Sequence, residues 1–192
     1  MKTQAVGRRH GLITIAALAA VIGTGCGPEV KTGPNLDRLP GYEGPLAQSF
    51  NDSIEPSVFG LTLEQRSLQG DPGFRTRATS ADVVATLRIT TVTSSRADDK
   101  VTYTLQFEPV KVHLGELDDA MLDLRLTEQQ SQAYSVISAV TTRAQKKVVV
   151  AMFKRFREKN RATTHFYMAP DNTDTTKALQ DALALDALRS KL

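Results

Sequence analysis

The sequence predicts an α+β fold: an antiparallel sheet of about four to six strands, with an amphipathic helix after Thr127 and a C-terminal helix packed on one face. Three observations carry this. Val101-Thr102-Tyr103-Thr104-Leu105-Gln106-Phe107-Glu108 alternates apolar and polar residues without a break, the period of a strand with one buried face. Behind Thr127 the period lengthens to that of a helix, with Ala133, Val136, Ile137, Val140 and Ala144 on one side. Past Pro170 a second helical stripe runs to the C-terminus.

Element by element, Val83, Ala85, Leu87 and Ile89 repeat the alternation one segment before Val101, and the polar stretch 94–100 between them reads as the loop of a hairpin. A second pair is expected from Val110, Val112 and Leu114, then, after Gly115, from Leu122, Leu124 and Leu126. Together these make four antiparallel strands with one wet face. Thr127-Glu128-Gln129-Gln130 fits a capping box, so the helix is expected to begin there and run to about residue 145. Val148 to Phe153 is short and β-branched, and TTHFYM follows at 163–168; both read as a further hairpin turning near Glu158-Lys159-Asn160. An unbroken helix to Lys159 has nearly the same pattern, and periodicity alone leaves it open. Thr173 or Asp174 starts the terminal helix, whose stripe is Leu179, Ala182, Leu183 and Leu188.

The N-terminus has a different character. Lys2, Arg8 and Arg9 precede an apolar run from Leu12 to Ile22, and the small residues Gly23-Thr24-Gly25 precede Cys26, the single cysteine. This is the order of an export signal, residues 1–25, and the run is far short of the roughly 20 residues a membrane-spanning helix needs. Arg8-Arg9 lacks the aromatic that follows a twin-arginine pair, since Gly11 stands there, so ordinary secretion is expected. Gly23-Thr24-Gly25-Cys26 resembles the lipobox of bacterial lipoproteins. The resemblance covers the leader only and implies cleavage between Gly25 and Cys26, with a diacylglycerol thioether on Cys26. It also implies a membrane partner through that anchor and, because Gly27 rather than Asp follows the cysteine, transfer to the outer membrane with the domain in the periplasm. Cleavage by the ordinary signal peptidase is the alternative, and it leaves a free thiol in an oxidising compartment. A buried core cysteine is a third reading, without apolar periodicity around Cys26 to support it.

From residue 26 to Leu46 the prolines Pro28, Pro34, Pro40 and Pro45 stand among glycines, so residues 26–46 read as a lipidated N-terminus and tether, and 47–192 as a single domain. Leader removal takes away three basic residues and no acidic ones, leaving 21 of each sign. A neutral chain gives no ground for a nucleic-acid partner. Charge is nonetheless uneven. Arg143, Lys146, Lys147, Lys154, Arg155, Arg157, Lys159 and Arg161 face Glu158 alone in their stretch, and the first six form a candidate basic binding face for an envelope protein or an anionic envelope component. The competing reading pairs this stretch with the acid-rich one from Asp98 to Glu128.

No catalytic or metal-ligating set emerges. His113 with Glu116 has the composition of a base and its orienter, but a histidine on the polar face of a strand is ordinarily solvated. Asp118, Asp119 and Asp123 form the densest carboxylate group, without the alternating oxygens and central Gly of a calcium loop. G-x-S-x-G, Walker and G-x-G-x-x-G motifs are missing. The expectation is a non-enzymatic binding or assembly accessory that takes no cofactor; a structural spacer without a ligand, or an envelope enzyme whose site the sequence does not assemble, is the alternative.

Overall fold

The alternating segments join into one six-stranded sheet in a computed structural model that describes residues 35–62, 67–127, 131–189 and 191. The chain divides into two units, Met1–Gly33 and Pro34–Leu192, and every described residue belongs to the second. The leader, Gly25 and Cys26 lie outside the described residues. In chain order the elements are α1 (Gly44–Ser49), β1 (Ser53–Ile54), α2 (Pro72–Ser80), β2 (Val83–Ala97), β3 (Lys100–Leu114), α3 (Asp119–Leu122), β4 (Asp123–Thr127), α4 (Gln132–Val140), β5 (Val148–Glu158), β6 (Arg161–Pro170) and α5 (Thr173–Arg189). Short 3-10 turns occupy Leu36–Arg38, Pro56–Phe59 and Thr141–Ala144. The strand order is β1-β6-β5-β2-β3-β4; β1 runs parallel to β6 and the other neighbours are antiparallel.

Two tight turns set the long hairpins. Asp98 and Asp99 (φ 48° and 60°) reverse the chain between β2 and β3, and Lys159 and Asn160 (φ 44° and 63°) between β5 and β6. Both central residues in the left-handed region match the twist of the flanking strands, and Asp and Asn tolerate that region best among side-chain-bearing residues. The β5–β6 hairpin stands where the sequence expects it, and the continuous helix to Lys159 does not form. The expected loop 94–100, by contrast, is strand as far as Ala97, because residues exposed on both faces show no alternation.

The second expected hairpin is also corrected. Residues 110–114 do not pair with 122–126; they continue β3, and β4 pairs instead with Thr102–Gln106. The outer edge of β3 past Gln106 lacks a β4 partner, and register shifts at Val84/Ala85 and Thr86/Leu87 turn the strand, so Val110, Val112 and Leu114 are exposed. Alternation reports strand geometry, not which face is covered.

The sheet has two apolar faces. Val83, Ala85, Leu87, Ile89, Val149, Ala151 and Phe153 point to α4 and its Val136, Ile137 and Val140. Val84, Val150, Met152, Phe156, Tyr167 and Ala169 point the other way, to Phe50, to Phe74 and Ala78 of α2 and to Ala178, Leu179 and Ala182 of α5. Strands β5 and β6 are therefore buried on both sides, and the single wet face is confined to the β3–β4 end. α4 starts later than the capping box suggests: Ser131 is its cap, accepting from Tyr134 N at 3.3 Å, Thr127 ends β4, and Glu128, Gln129 and Gln130 lie outside the described residues. In α5 the stripe ends at Leu183, and Leu188 is exposed.

The chain is already part of the fold before residue 47. Arg157 N donates to Pro40 O at 2.8 Å, Gly41 bridges Arg157 in parallel, and Tyr42 and Leu46 pack against the second core. Main-chain pairing needs no apolar period, so a Pro/Gly-rich segment joins a sheet end without announcing it.

Candidate functional site

Tyr167 projects from the doubly covered part of β6 into a cavity of about 450 Å³. Its walls come from the turn after β1 (Glu55, Ser57), the approach to α2 (Leu68, Asp71), Arg77 of α2 and the start of α5 (Asn172, Asp174, Thr175). Each wall is fixed locally. The side chain of Asp71 caps α2 by accepting from Gly73 N (2.7 Å) and Phe74 N (3.3 Å), and Pro72 supplies the preset φ of a first helical turn. Asn172 accepts from Thr175 N at 2.8 Å at the start of α5.

Tyr167 donates its hydroxyl to Glu55 Oε1 at 2.8 Å. Burial, reinforced by the Glu55 charge, pushes the phenol far above its usual range, so it remains a donor. The Arg77 guanidinium lies 4.2 Å from the Tyr167 ring centroid, and its Nε donates to Ser49 O at 2.7 Å. At the rim Asp174 accepts from Leu68 N (2.7 Å), Ser67 Oγ (2.9 Å) and Gln69 Nε2 (2.8 Å), and the backbone bond from Leu68 leads in holding its carboxyl below the usual range. Glu55, Asp71 and Asp174 against Arg77 make the lining carboxylate-rich, a setting for a small polar or cationic solute rather than an anion. Thr175 Oγ1 is buried without a hydrogen-bond partner.

A second cluster lies beside Phe156. His165 is 8% exposed; its ring stacks on Tyr42 (centroids 3.8 Å, 7° between planes) and meets Phe156 edge-on. Its Nδ1 is 2.8 Å from Asp52 Oδ2, and Asp52 Oδ1 accepts from Phe166 N. Nε2 faces Glu158 Oε1 at 3.4 Å, an ion-pair distance without the alignment of a hydrogen bond. Burial disfavours the imidazolium, but the Asp52 bond and the charges of Asp52 and Glu158 outweigh it and raise the pKa. The cluster ties the segment before β1 to β5 and β6.

The six residues of the expected basic face are not brought together. Lys154 Nζ pairs with Asp82 at 2.6 Å, Arg155 with Asp118 at 2.7 Å, and Arg157 lies 3.9 Å from exposed Asp37. Arg143, Lys146 and Lys147 are exposed at the other end of β5, before its first residue. The Arg155 pair is one link between the basic and acid-rich stretches. Elsewhere, His113 Nε2 contacts Thr86 Oγ1 at 2.9 Å instead of Glu116, and burial first, then Lys111, lowers its pKa. Asp118 caps α3 through Met121 N at 3.0 Å and holds Arg155, so it is not presented to a calcium ion with Asp119 and Asp123. Among the described residues no group of three or more His, Cys, Asp or Glu is placed to hold a metal, and no helix is long and apolar enough to cross a membrane.

Comparison of the chain with protein-family models, with curated proteins and with solved structures gives no match. Sequence reasoning also passed over Tyr42, Asp52, Glu55, Arg77 and Tyr167, which build the two clusters. An Asp-Pro pair at 71–72 was the one local signal near them, marking a helix start.

Proposed function

We propose that the chain is a bacterial envelope lipoprotein, anchored through a diacylglycerol thioether on Cys26, whose α+β domain works as a binding or assembly accessory at the membrane surface. The observation that carries this reading is Gly23-Thr24-Gly25-Cys26 placed directly behind a basic and apolar leader. The cysteine is the only one in the chain, and the lipid chains added there hold far more firmly than a single acyl group. Gly27 after the cysteine directs the protein outward, to the periplasmic leaflet of the outer membrane in a diderm cell.

The carboxylate-rich cavity around Tyr167 supports a binding role for the domain, because its polar groups are fixed by the fold before any ligand arrives. In cells fed labelled palmitate the protein should take up label, and Cys26→Ser should take up none and accumulate as unprocessed precursor. Equal labelling of the two would contradict the reading.

A further inference from the structure

Resting on the reading of Cys26 as a lipid anchor, we propose that the β5–β6 turn, with the 3-10 segment beside it, is a membrane-facing surface that meets anionic lipid headgroups. Chain length is the first argument. Nine residue steps separate Cys26 from Asn35, and even fully extended they span at most roughly 30 Å. From Asn35 the chain runs to the end of β5, where Pro40 O accepts from Arg157 N, Gly41 bridges Arg157, and Asp37 approaches its guanidinium. The chain from the anchor therefore joins the domain at the end that carries the turn at Lys159 and Asn160.

Register gives the second argument. β2 runs antiparallel to β5 with Arg88 opposite Val148, so the β2–β3 turn points to the opposite end of the sheet. At about 3.3 Å per residue the two turns lie up to roughly 70 Å apart. The field of an anionic leaflet fades over roughly 10 Å, so only the end held near the surface feels it.

Charge is the third. Arg38, Arg157, Lys159 and Arg161 are all exposed at the near end. Of the acids there, Glu158 faces His165, leaving Asp37 and Glu43 exposed. Arg157 has only the loose contact with Asp37 at 3.9 Å, whereas Lys154 and Arg155, further in, are held closely by Asp82 and Asp118 at 2.6 and 2.7 Å and take no part.

The test uses the full, processed chain reconstituted in vesicles of phosphatidylglycerol or phosphatidylcholine carrying a headgroup-level quencher. Acylation consumes the native thiol, so a fluorophore placed on Ala162→Cys or Ser95→Cys, both exposed strand positions, reports one end each. Quenching at least threefold stronger at 162 than at 95 in phosphatidylglycerol is expected. It should fall at least twofold in phosphatidylcholine and in a Lys159→Glu, Arg161→Glu variant. Acylated protein quenched equally at both sites, or insensitive to lipid charge, overturns the membrane-facing surface alone. Protein whose Cys26 has no acyl group, and which fails to float with the vesicles, overturns the anchor and the surface with it.

Discussion

Replacing His165 by Gln removes the centre of the cluster that holds residues 42–52 on the sheet. His165 Nδ1 lies 2.8 Å from Asp52 Oδ2, which with the ring protonated is a charge-assisted bond contributing about 1.5–3 kcal/mol, and the ring stacks on Tyr42, contributing about 0.5–1.5 kcal/mol. Gln keeps the volume but not the charge or the stack, so at pH 5.5 the variant should lose about 3 kcal/mol, a fall of roughly 6–12 °C in Tm for a domain of this size. The loss should depend on pH. The folded pKa of His165 lies above the ordinary 6.5, so the native state binds this proton more tightly than the unfolded chain. Its contribution is complete below pH 6.5 and is lost as pH rises through the folded value. Urea unfolding of both proteins from pH 5.5 to 9 should show their difference shrinking to about 2 kcal/mol at the alkaline end, where a neutral bond and the stack remain. The subtraction cancels His113, whose lowered pKa acts in the opposite sense. A difference that stays constant or grows with pH would refute the account of His165 as a charged clamp.

Three other substitutions probe the fold that presents these groups. Tyr42→Ala removes the stack on His165, the edge contact with Phe156 and the hydroxyl bond to Phe50 O, and should lower stability by about 2–3 kcal/mol in urea titrations; no change would mean that residues before 47 are not part of the domain. Gly115→Ala would bring a methyl group against Asp82 O at a φ of +72°, so a loss of at least about 2 kcal/mol by calorimetry is expected. Thr175→Val replaces a buried, unpartnered hydroxyl by a methyl, so its thermal melt should match or exceed that of the parent by up to about 1 kcal/mol, and a clear loss would reveal a partner for Oγ1.

What the sequence disclosed and what it withheld divide along physical lines. Val101–Phe107 was legible because its apolar positions face the core and its polar ones do not, which imposes a period of two; in Val83–Ile89 the residues Val83, Ala85, Leu87 and Ile89 share one core face, although Val84 is buried on the other. The Thr- and Ser-rich end of β2 was not legible, because no face is buried to select residue type. Val110, Val112 and Leu114 alternate correctly and still lie exposed, since β4 ends short of them. The first 80 residues hid α1, α2 and β1: these elements are short and take their stability from caps and from pairing with β5 and β6, which come a hundred residues later. His165 reads as an ordinary strand residue for the same reason. Its partners Tyr42 and Asp52 are more than a hundred positions away, and the β1–β6 pairing together with the Gly41–Arg157 bridge brings them to it.

The central claim is that Cys26 joins this domain to a membrane, and the intact mass of the processed protein tests it most directly. The account predicts a chain beginning at Cys26 and heavier than its residues by a diacylglycerol and any further acyl group. A chain that starts at Cys26 unmodified, or that retains the residues before it in wild-type cells, would contradict it.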